Sequence, residues 1–144
     1  MLMIDDPLYN KIIDVLPILC VDGFIVDDNK ILLLKRNNYP AINEWWVPGG
    51  RVIKNELLCD SIIRKVKEET GLDVEILNQI GITETVFETK HTVNVCFSLK
   101  IKSGDITINS EHSEYKWFKI DRLPININSE LNKIIKNNYD RTNK

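Results

Sequence analysis

The chain predicts an α/β fold in which a mixed β-sheet lies between helices. Three observations predict it. The elements run in the order strands, helix, strands, helix. Residues 55–70 carry apolar side chains at helical spacing, whereas residues 91–101 alternate apolar and polar. The length of 144 residues, with 43% hydrophobic and 28% charged residues, suits one domain over 1–144 with one packed core.

Composition excludes several classes of function. A formal net charge of −2 gives no general basis for binding nucleic-acid phosphates. The three cysteines, Cys20, Cys59 and Cys96, lie far apart and form no CxxC pair. Neither a zinc cluster nor a disulfide framework is expected, and the pattern fits a reducing compartment. The N-terminus, MLMIDDPLYN, has acids where a signal peptide needs bases, and no long apolar run follows. The expectation is a soluble cytoplasmic protein with no membrane partner.

Each element has a local reason. Residues 5–14 form a short helix, with Asp5 or Asp6 as cap, Pro7 in the first turn, and Leu8, Ile12 and Ile13 inward. Residues 17–26 are a buried strand in which Gly23 marks a bulge or a close backbone approach. A turn at 27–30 leads into a strand at 31–36, so 17–36 is a hairpin. Residues 37–48 form a loop carrying Tyr39, Trp45 and Trp46. The Trp pair closes part of the core, or one ring stacks on a base. Arg36 points toward this loop, either solvated or contacting a phosphate or sugar. Gly49 and Gly50 turn the chain and bring a carbonyl close to a ligand. Asn55 caps a helix running to about residue 70, and Gly71 ends it. On that helix Leu58, Cys59, Ile62, Ile63, Val66 and Thr70 share one side. Lys65, Glu68 and Glu69 share another sector, and Arg64 can pair with Glu68. Residues 73–88 are a strand kinked at Gly81. In 91–101 the odd positions from Val93 to Ile101 face one way, and Thr92, Asn94, Cys96, Ser98 and Lys100 the other. A turn at 103–105 follows, then a polar loop that becomes a strand at Tyr115. Residues 128–139 close the fold as a helix capped by Asn128 or Ser129, with Leu131, Ile134 and Ile135 inward.

The chemistry concentrates at residues 49–72. Glu68 and Glu69 are adjacent like charges at the negative end of a helix dipole. Either water solvates them or a cation neutralises them. Their oxygens, with the Gly49 carbonyl nearby, suit a hard divalent ion such as Mg²⁺. A site with few protein ligands leaves room for water and substrate phosphates, which points to a phosphorylated substrate and metal-assisted chemistry.

The spacing sharpens that choice. Gly50, Glu56, Arg64, Val66, Glu68, Glu69, Gly71 and Leu72 stand in register with G-x5-E-x7-R-E-U-x-E-E-x-G-U, where U is a bulky apolar residue. The segment resembles the Nudix box, and only Lys65 departs, standing where the family has a Glu. W-x-x-P-G-G before it (Trp45 to Gly50) and EYKWF-x-x-x-x-LP near the end (Glu114 to Pro124) also look like the family. The resemblance implies an α/β/α sandwich and a divalent-metal hydrolase of nucleoside diphosphates linked to another group. It implies Glu68 and Glu69 as metal ligands with the Gly49 carbonyl, and Glu56 with Arg64 as a structural pair. The cofactor implied is Mg²⁺, with Mn²⁺ as the substitute.

Lys65 removes a carboxylate that would bind metal or help activate water. Its charge would repel a second Mg²⁺, so a single ion and a base from elsewhere are expected. Residues 35–56, KRNNYPAINEWWVPGGRVIKNE, are similar to the GDP-mannose mannosyl hydrolases of the family. That resemblance implies water attack at sugar C1, release of GDP and mannose, one metal, and a histidine base. Carried onto this chain, it implies His112 as base, Glu111 as a metal ligand, and Arg36 and Arg51 against the departing diphosphate. Glu68 would assist catalysis, and Tyr39 joins the arginines as a substrate contact. His91 is the competing imidazole. An aspartate of that branch is here either Asp22, with one residue inserted, or replaced by Gly23. Two other readings stand beside this one: a conventional pyrophosphatase cutting ADP-ribose or a nucleotide at phosphorus, and a nucleotide-binding module without catalysis. A homodimer is expected by the same resemblance.

Overall fold

The structure, a computed structural model, describes residues 4–139. Helix α1 (Asp6–Val15) leads into strands β1 (Ile18–Asp27) and β2 (Lys30–Arg36). Short strands β3 (Trp45–Trp46) and β4 (Gly49–Arg51) precede helix α2 (Leu58–Thr70). Strands β5 (Asp73–Val86), β6 (His91–Ser103) and β7 (His112–Lys119) follow, then helix α3 (Ser129–Tyr139). The strands make one seven-stranded sheet in the order β3-β2-β1-β6-β5, with β4 on β1 and β7 on β2. β1 and β6 are parallel, and the other pairs are antiparallel, so the sheet is mixed as expected. No helix among the described residues is long and apolar enough to cross a membrane.

Alternation along the strands builds two cores, one on each face. Val21 and Ile25 of β1, Leu32 and Leu34 of β2, and Val95, Phe97 and Leu99 of β6 pack with Ile62 and Val66 of α2. Phe24, Ile31, Leu33, Trp45, Trp46 and Cys96 pack on the other face with Leu131, Ile134 and Ile135 of α3. The sheet is therefore covered by α2 on one side and α3 on the other, the α/β/α sandwich. Asn128 caps α3 by accepting the Glu130 and Leu131 amides at 2.9 and 3.2 Å. Both tryptophans serve the second core.

β1 is the hub. It pairs with β6 from Ile18 to Ile25, with β4 over Cys20–Asp22, and with β2 only at Val26 and Asp27. One edge of β1 thus changes partner partway along. Gly23 faces α2, where an added Cβ would meet Leu99 Cδ1 at 2.6 Å and Ile62 Cδ1 at 3.1 Å. It is a close approach, not a bulge.

Several local expectations are corrected. Helix α2 begins at Leu58, and its cap Leu57 makes no side-chain capping bond. Asn55 instead sits in the preceding turn with φ of 73°, a conformation asparagine tolerates. Both the 62–66–70 and the 61–65–69 ridges of α2 are buried, while Ile63 and Cys59 are exposed. The helix is wedged between the sheet and the β4 turn, which covers a wider stripe than the apolar residues alone mark. In α1 no residue is buried and Leu8 is half-exposed, although Asp5 caps it as expected, accepting the Leu8 amide at 2.9 Å. β7 begins at His112, three positions before Tyr115, because its polar start pairs with Arg36. The strand at 73–88 ends at Val86, and its pairing slips next to Gly81.

Replacing Gly23 with Val should overpack this contact and destabilise the fold by about 1–3 kcal/mol. Urea unfolding of the two proteins is the measurement; equal midpoints would mean that Leu99 and Ile62 move aside without cost.

Candidate active site

The last turn of α2 carries the central group. Glu69 follows Ser61 and Lys65 along the ridge that packs on the β4 turn, and it is 3% exposed. Its Oε1 accepts the Gly49 amide at 2.8 Å. Its Oε2 lies 3.6 Å from Nε2 of His112. Burial raises the Glu69 carboxyl to about 8, Lys65 and the Gly49 amide pull it back, and neighbouring Glu111 pushes it further up.

The segment before β7 is tied to the same helix end. The Thr107 amide donates to the Thr70 carbonyl at 2.8 Å, and Asn109 Nδ2 to the Glu68 carbonyl at 3.3 Å. Asn109 Oδ1 then accepts the Glu111 amide at 3.1 Å. His112 stands opposite Arg36 in the β2–β7 pairing, next to a register shift at Lys35/Arg36. These ties bring Glu69, Glu111 and His112 together, with one donor atom of each within 4.8 Å of the others. Burial lowers the His112 imidazole to about 4; Glu111 opposes this, and Arg36 and Lys65 reinforce it. Near neutrality the ring is uncharged, the form that ligates a metal or accepts a proton. Its Nδ1 is buried with no hydrogen-bond partner. Two carboxyl oxygens beside a neutral imidazole are a donor set that fits a divalent ion of the Mg²⁺ or Mn²⁺ kind.

A cavity of about 140 Å³ opens beside this group, with Glu69 and His112 in its wall. Asp22, Thr92 and Asn94 form a polar floor, and all three are buried. Burial raises Asp22 to about 7, with Asn94 and Arg36 pulling it down. Three cations, Arg36, Arg51 and Lys90, line the walls. Arg36 is held by the Pro40 carbonyl at 2.8 Å, with its guanidinium 5.8 Å from the Trp46 ring centre. Burial lowers the Arg36 and Lys90 side chains from their usual values. The Arg51 guanidinium lies 5.5 Å from the ring of Tyr9, which α1 brings to the cavity.

The expected site residues divide. Glu69, Glu111, His112, Arg36, Arg51 and Gly49 converge on this region. Glu68 does not join the Glu69 group: its carboxylate lies 3.2 Å from Arg64 Nη1 and 3.4 Å from Lys65 Nζ. Tyr39 is exposed and outside the cavity wall, which its neighbour Pro40 contributes to instead. At Gly49 the recorded contact is its amide, donating to Glu69. Glu56 takes Arg64 Nε at 2.7 Å and Nη2 at 2.9 Å, and accepts the Ile53 amide at 3.2 Å. His91 pairs with Glu84 at 2.7 Å and is not in the cavity wall. Asp22, not Gly23, faces the cavity. Sequence reasoning overlooked Tyr9, Lys90 and Phe87, which also line the cavity. For Thr92 and Asn94 the signal was present, since they share the polar side of an otherwise apolar strand.

A buried carboxyl–imidazole group beside a cation-lined cavity, on an α/β/α sandwich, is suited to a metal ion and an anionic ligand. Residues 17–137 match the family model of the NUDIX domain, and the chain belongs to the Nudix hydrolase family. It is 34% identical over 124 residues to the low-salt glycan biosynthesis protein Agl8 of Haloferax volcanii, covering 81% of this chain and 80% of that one. It is 33% identical over 110 residues to an ADP-ribose pyrophosphatase of Methanocaldococcus jannaschii, covering 75% of this chain and 65% of that protein's length. Among solved structures, a MutT Nudix hydrolase from Burkholderia pseudomallei superposes with a TM-score of 0.79 at 25% identity, over 84% of this chain and 97% of that chain. A MutT protein from Methanosarcina mazei gives the same TM-score of 0.79 at 26% identity, over 89% and 96%.

The Glu56–Arg64 pair generates a pH prediction. Arg64 lowers the Glu56 carboxyl from 4.5 to about 2. Stability from a depressed acid is full above the unfolded value and is lost as pH falls through the folded one. The pair should therefore stabilise fully above about pH 4.5 and lose its contribution between there and about pH 2. Urea unfolding should separate wild type from Glu56→Gln at pH 7 and bring them together near pH 2; a pH-independent gap would show that the charge is not what matters.

Proposed function

We propose that this chain hydrolyses a nucleoside diphosphate linked to a sugar, with one divalent ion, Mg²⁺ or in its place Mn²⁺, held by Glu69 and Glu111. The observation that carries this reading is the Glu69–Glu111–His112 group at the edge of a cavity walled by Arg36, Arg51 and Lys90. Both curated relatives support the substrate class from different sides. Agl8 is a glycan biosynthesis protein by name, and ADP-ribose is itself a diphosphate between a nucleoside and a sugar.

The bound ion would draw negative charge from the diphosphate as its leaving bond breaks. The remaining work falls to the protein's own side chains. His112, uncharged near neutrality, takes a proton from water at Nε2, the ring nitrogen turned toward Glu69. The water oxygen bonds to sugar C1. The C1–O bond breaks with its electron pair going to the diphosphate, which departs between Arg36 and Arg51. Lys65 and the Gly49 amide favour the ionised form of Glu69. The polar floor of Asp22, Thr92 and Asn94 offers hydrogen-bonding partners to sugar hydroxyls.

The pyrophosphatase relative favours a second reading, attack at phosphorus on the same substrate class. Turnover in ¹⁸O-water with Mg²⁺ of nucleotide sugars whose diphosphate is on sugar C1 separates the two; ADP-ribose, with its diphosphate on C5 of the terminal ribose, reports only on attack at phosphorus. Label in a free sugar is expected; label in a phosphate product would establish the second reading.

Two substitutions test the residue roles. Glu69→Gln should abolish metal-dependent turnover. His112→Gln should lower kcat by about 10²–10⁴-fold, the contribution of a general base, with KM changed far less. An unaltered kcat for His112→Gln would remove His112 as the base.

A further inference from the structure

Lys90 is a half-buried cation that the cavity holds without an acid beside it. It closes the β5–β6 hairpin, where its carbonyl accepts the Phe87 amide at 2.8 Å. The Phe87 ring centre lies 6.1 Å from that of Trp46, and this packing seats the hairpin at the cavity wall. Two residues on, Thr92 pairs with Ile18 of β1. Arg51 pairs with Cys20 of the same strand, and its guanidinium lies against the Tyr9 ring. Tyr9, Ile18, Cys20, Arg51, Lys90 and Thr92 thus mark one end of the cavity. Arg36 belongs to the other end. It stands opposite His112 in the β2–β7 pairing, and β1 lies between β2 and β6. The two ends differ in charge. Glu69, Glu111, Glu44 and Asp22 all act on Arg36. Among the described residues no carboxylate acts on Lys90; its charged neighbours are Arg36 and Arg51, and the Cys20 thiol beside it is kept protonated by burial.

We propose that Lys90 anchors one phosphate of a nucleoside diphosphate without help from a metal ion, at the end of the cavity away from the Glu69–Glu111–His112 group. The inference rests on the nucleoside-diphosphate reading above and deepens it, by assigning a binding residue that the metal does not serve. Arg36, Arg51 and Lys90 repel one another in one small cavity, and their convergence is unfavourable until an anion enters it. Arg36 has acids around it to offset that repulsion, whereas Lys90 has none. A phosphate supplies the missing charge and several acceptor oxygens. A lysine ammonium is a compact charge with three rotatable donors, so it meets a phosphate oxygen in many orientations. The buried Thr92 hydroxyl at the same end adds a further donor. Cations on both sides of β1 suit a ligand with two phosphates: one reaches the metal-binding group, and the other stays with Lys90 before an ion arrives and after it leaves.

The test measures binding in EDTA, so that no metal ion takes part. Full-length protein is titrated with ADP and GDP, and with adenosine and guanosine as probes that lack phosphate; calorimetry reads the affinity. Wild type should bind the diphosphates and hold the nucleosides far more weakly. Lys90→Met keeps the stem and removes the charge. It should weaken diphosphate binding about 10-fold or more, the worth of one charge-assisted contact. Lys90→Arg should retain most of the affinity, and the salt dependence of binding should be shallower in Lys90→Met than in wild type. Lys35→Met makes the same change of net charge at a lysine that lies over the Trp45 ring and outside the cavity wall, and it should bind like wild type. Circular dichroism confirms that each variant is folded, and Lys90→Arg decides the matter if Lys90→Met is not. No diphosphate bound by wild type in EDTA, nucleosides bound as tightly as diphosphates, Lys90→Met binding like wild type, or an equal loss in Lys35→Met would each overturn the anchor. Turnover is scored separately. Metal-free binding that depends on Lys90, in a protein that turns over no nucleotide sugar, would remove the hydrolase reading and keep the anchor; turnover with Lys90→Met binding like wild type would do the reverse.

Discussion

The site hangs on the hydrogen bond from the Gly49 amide to Glu69, 2.8 Å long. A carboxyl this deeply buried needs a donor, because an unpaired one costs far more than a surface one. The donor is a backbone amide in a short strand paired with β1. That strand has no room for a side chain at its first residue: a Cβ on Gly49 would strike Asp22 Oδ1 and the Val21 carbonyl. So one bond joins the end of α2, the Gly-Gly turn and the hub strand. Gly71, with φ of 76°, then ends the helix just past Glu69 and sends the chain into β5. The carbonyls of Glu68 and Thr70 are left to receive Asn109 and the Thr107 amide, and those ties carry Glu111 and His112 to Glu69.

Charge in and around the cavity follows one rule. Burial moves Asp22 and Glu69 up and His112 and Lys90 down, so each is displaced toward its neutral form. Such groups are poised to respond to a charged ligand, since counter-charge and lost water act on them together. Glu56 and Arg64 follow the opposite rule. They face each other at 2.7 Å, keep their charges, and bind the turn before α2 to the helix. One end of α2 is therefore held by an ordinary ion pair and a backbone bond, while the other end carries groups whose charge the interior suppresses.

Much of this was legible in the sequence because it is local. The strand alternation in β6, the Gly71 stop, the Asn128 cap and the spacing from Gly50 to Leu72 are short-range patterns, and each maps directly onto the fold. The α2 start was misread for an equally local reason. Asn55 is a good cap in isolation, but the Ile53–Glu56 turn draws it into a left-handed conformation, and the helix opens later. The buried width of α2 was also out of reach, since burial of Ser61, Lys65 and Glu69 depends on a turn packed from elsewhere.

The sequence by itself determined the fold class, the family, the Arg64–Glu68 spacing and the departure at Lys65, since these follow from residue type and spacing, while the Glu56–Arg64 pair was implied by the family resemblance. Tertiary structure alone decided which of two adjacent glutamates meets His112. Neighbours on a helix point about 100° apart, and only the packing of α2 against β4 selects Glu69 for the interior and leaves Glu68 to Arg64 and Lys65. It also decided that Tyr9, Lys90, Thr92 and Asn94 share a cavity with residues far away in the chain. That outcome is set by the register of β1 on β6 and by where α1 lies, and no local pattern encodes either.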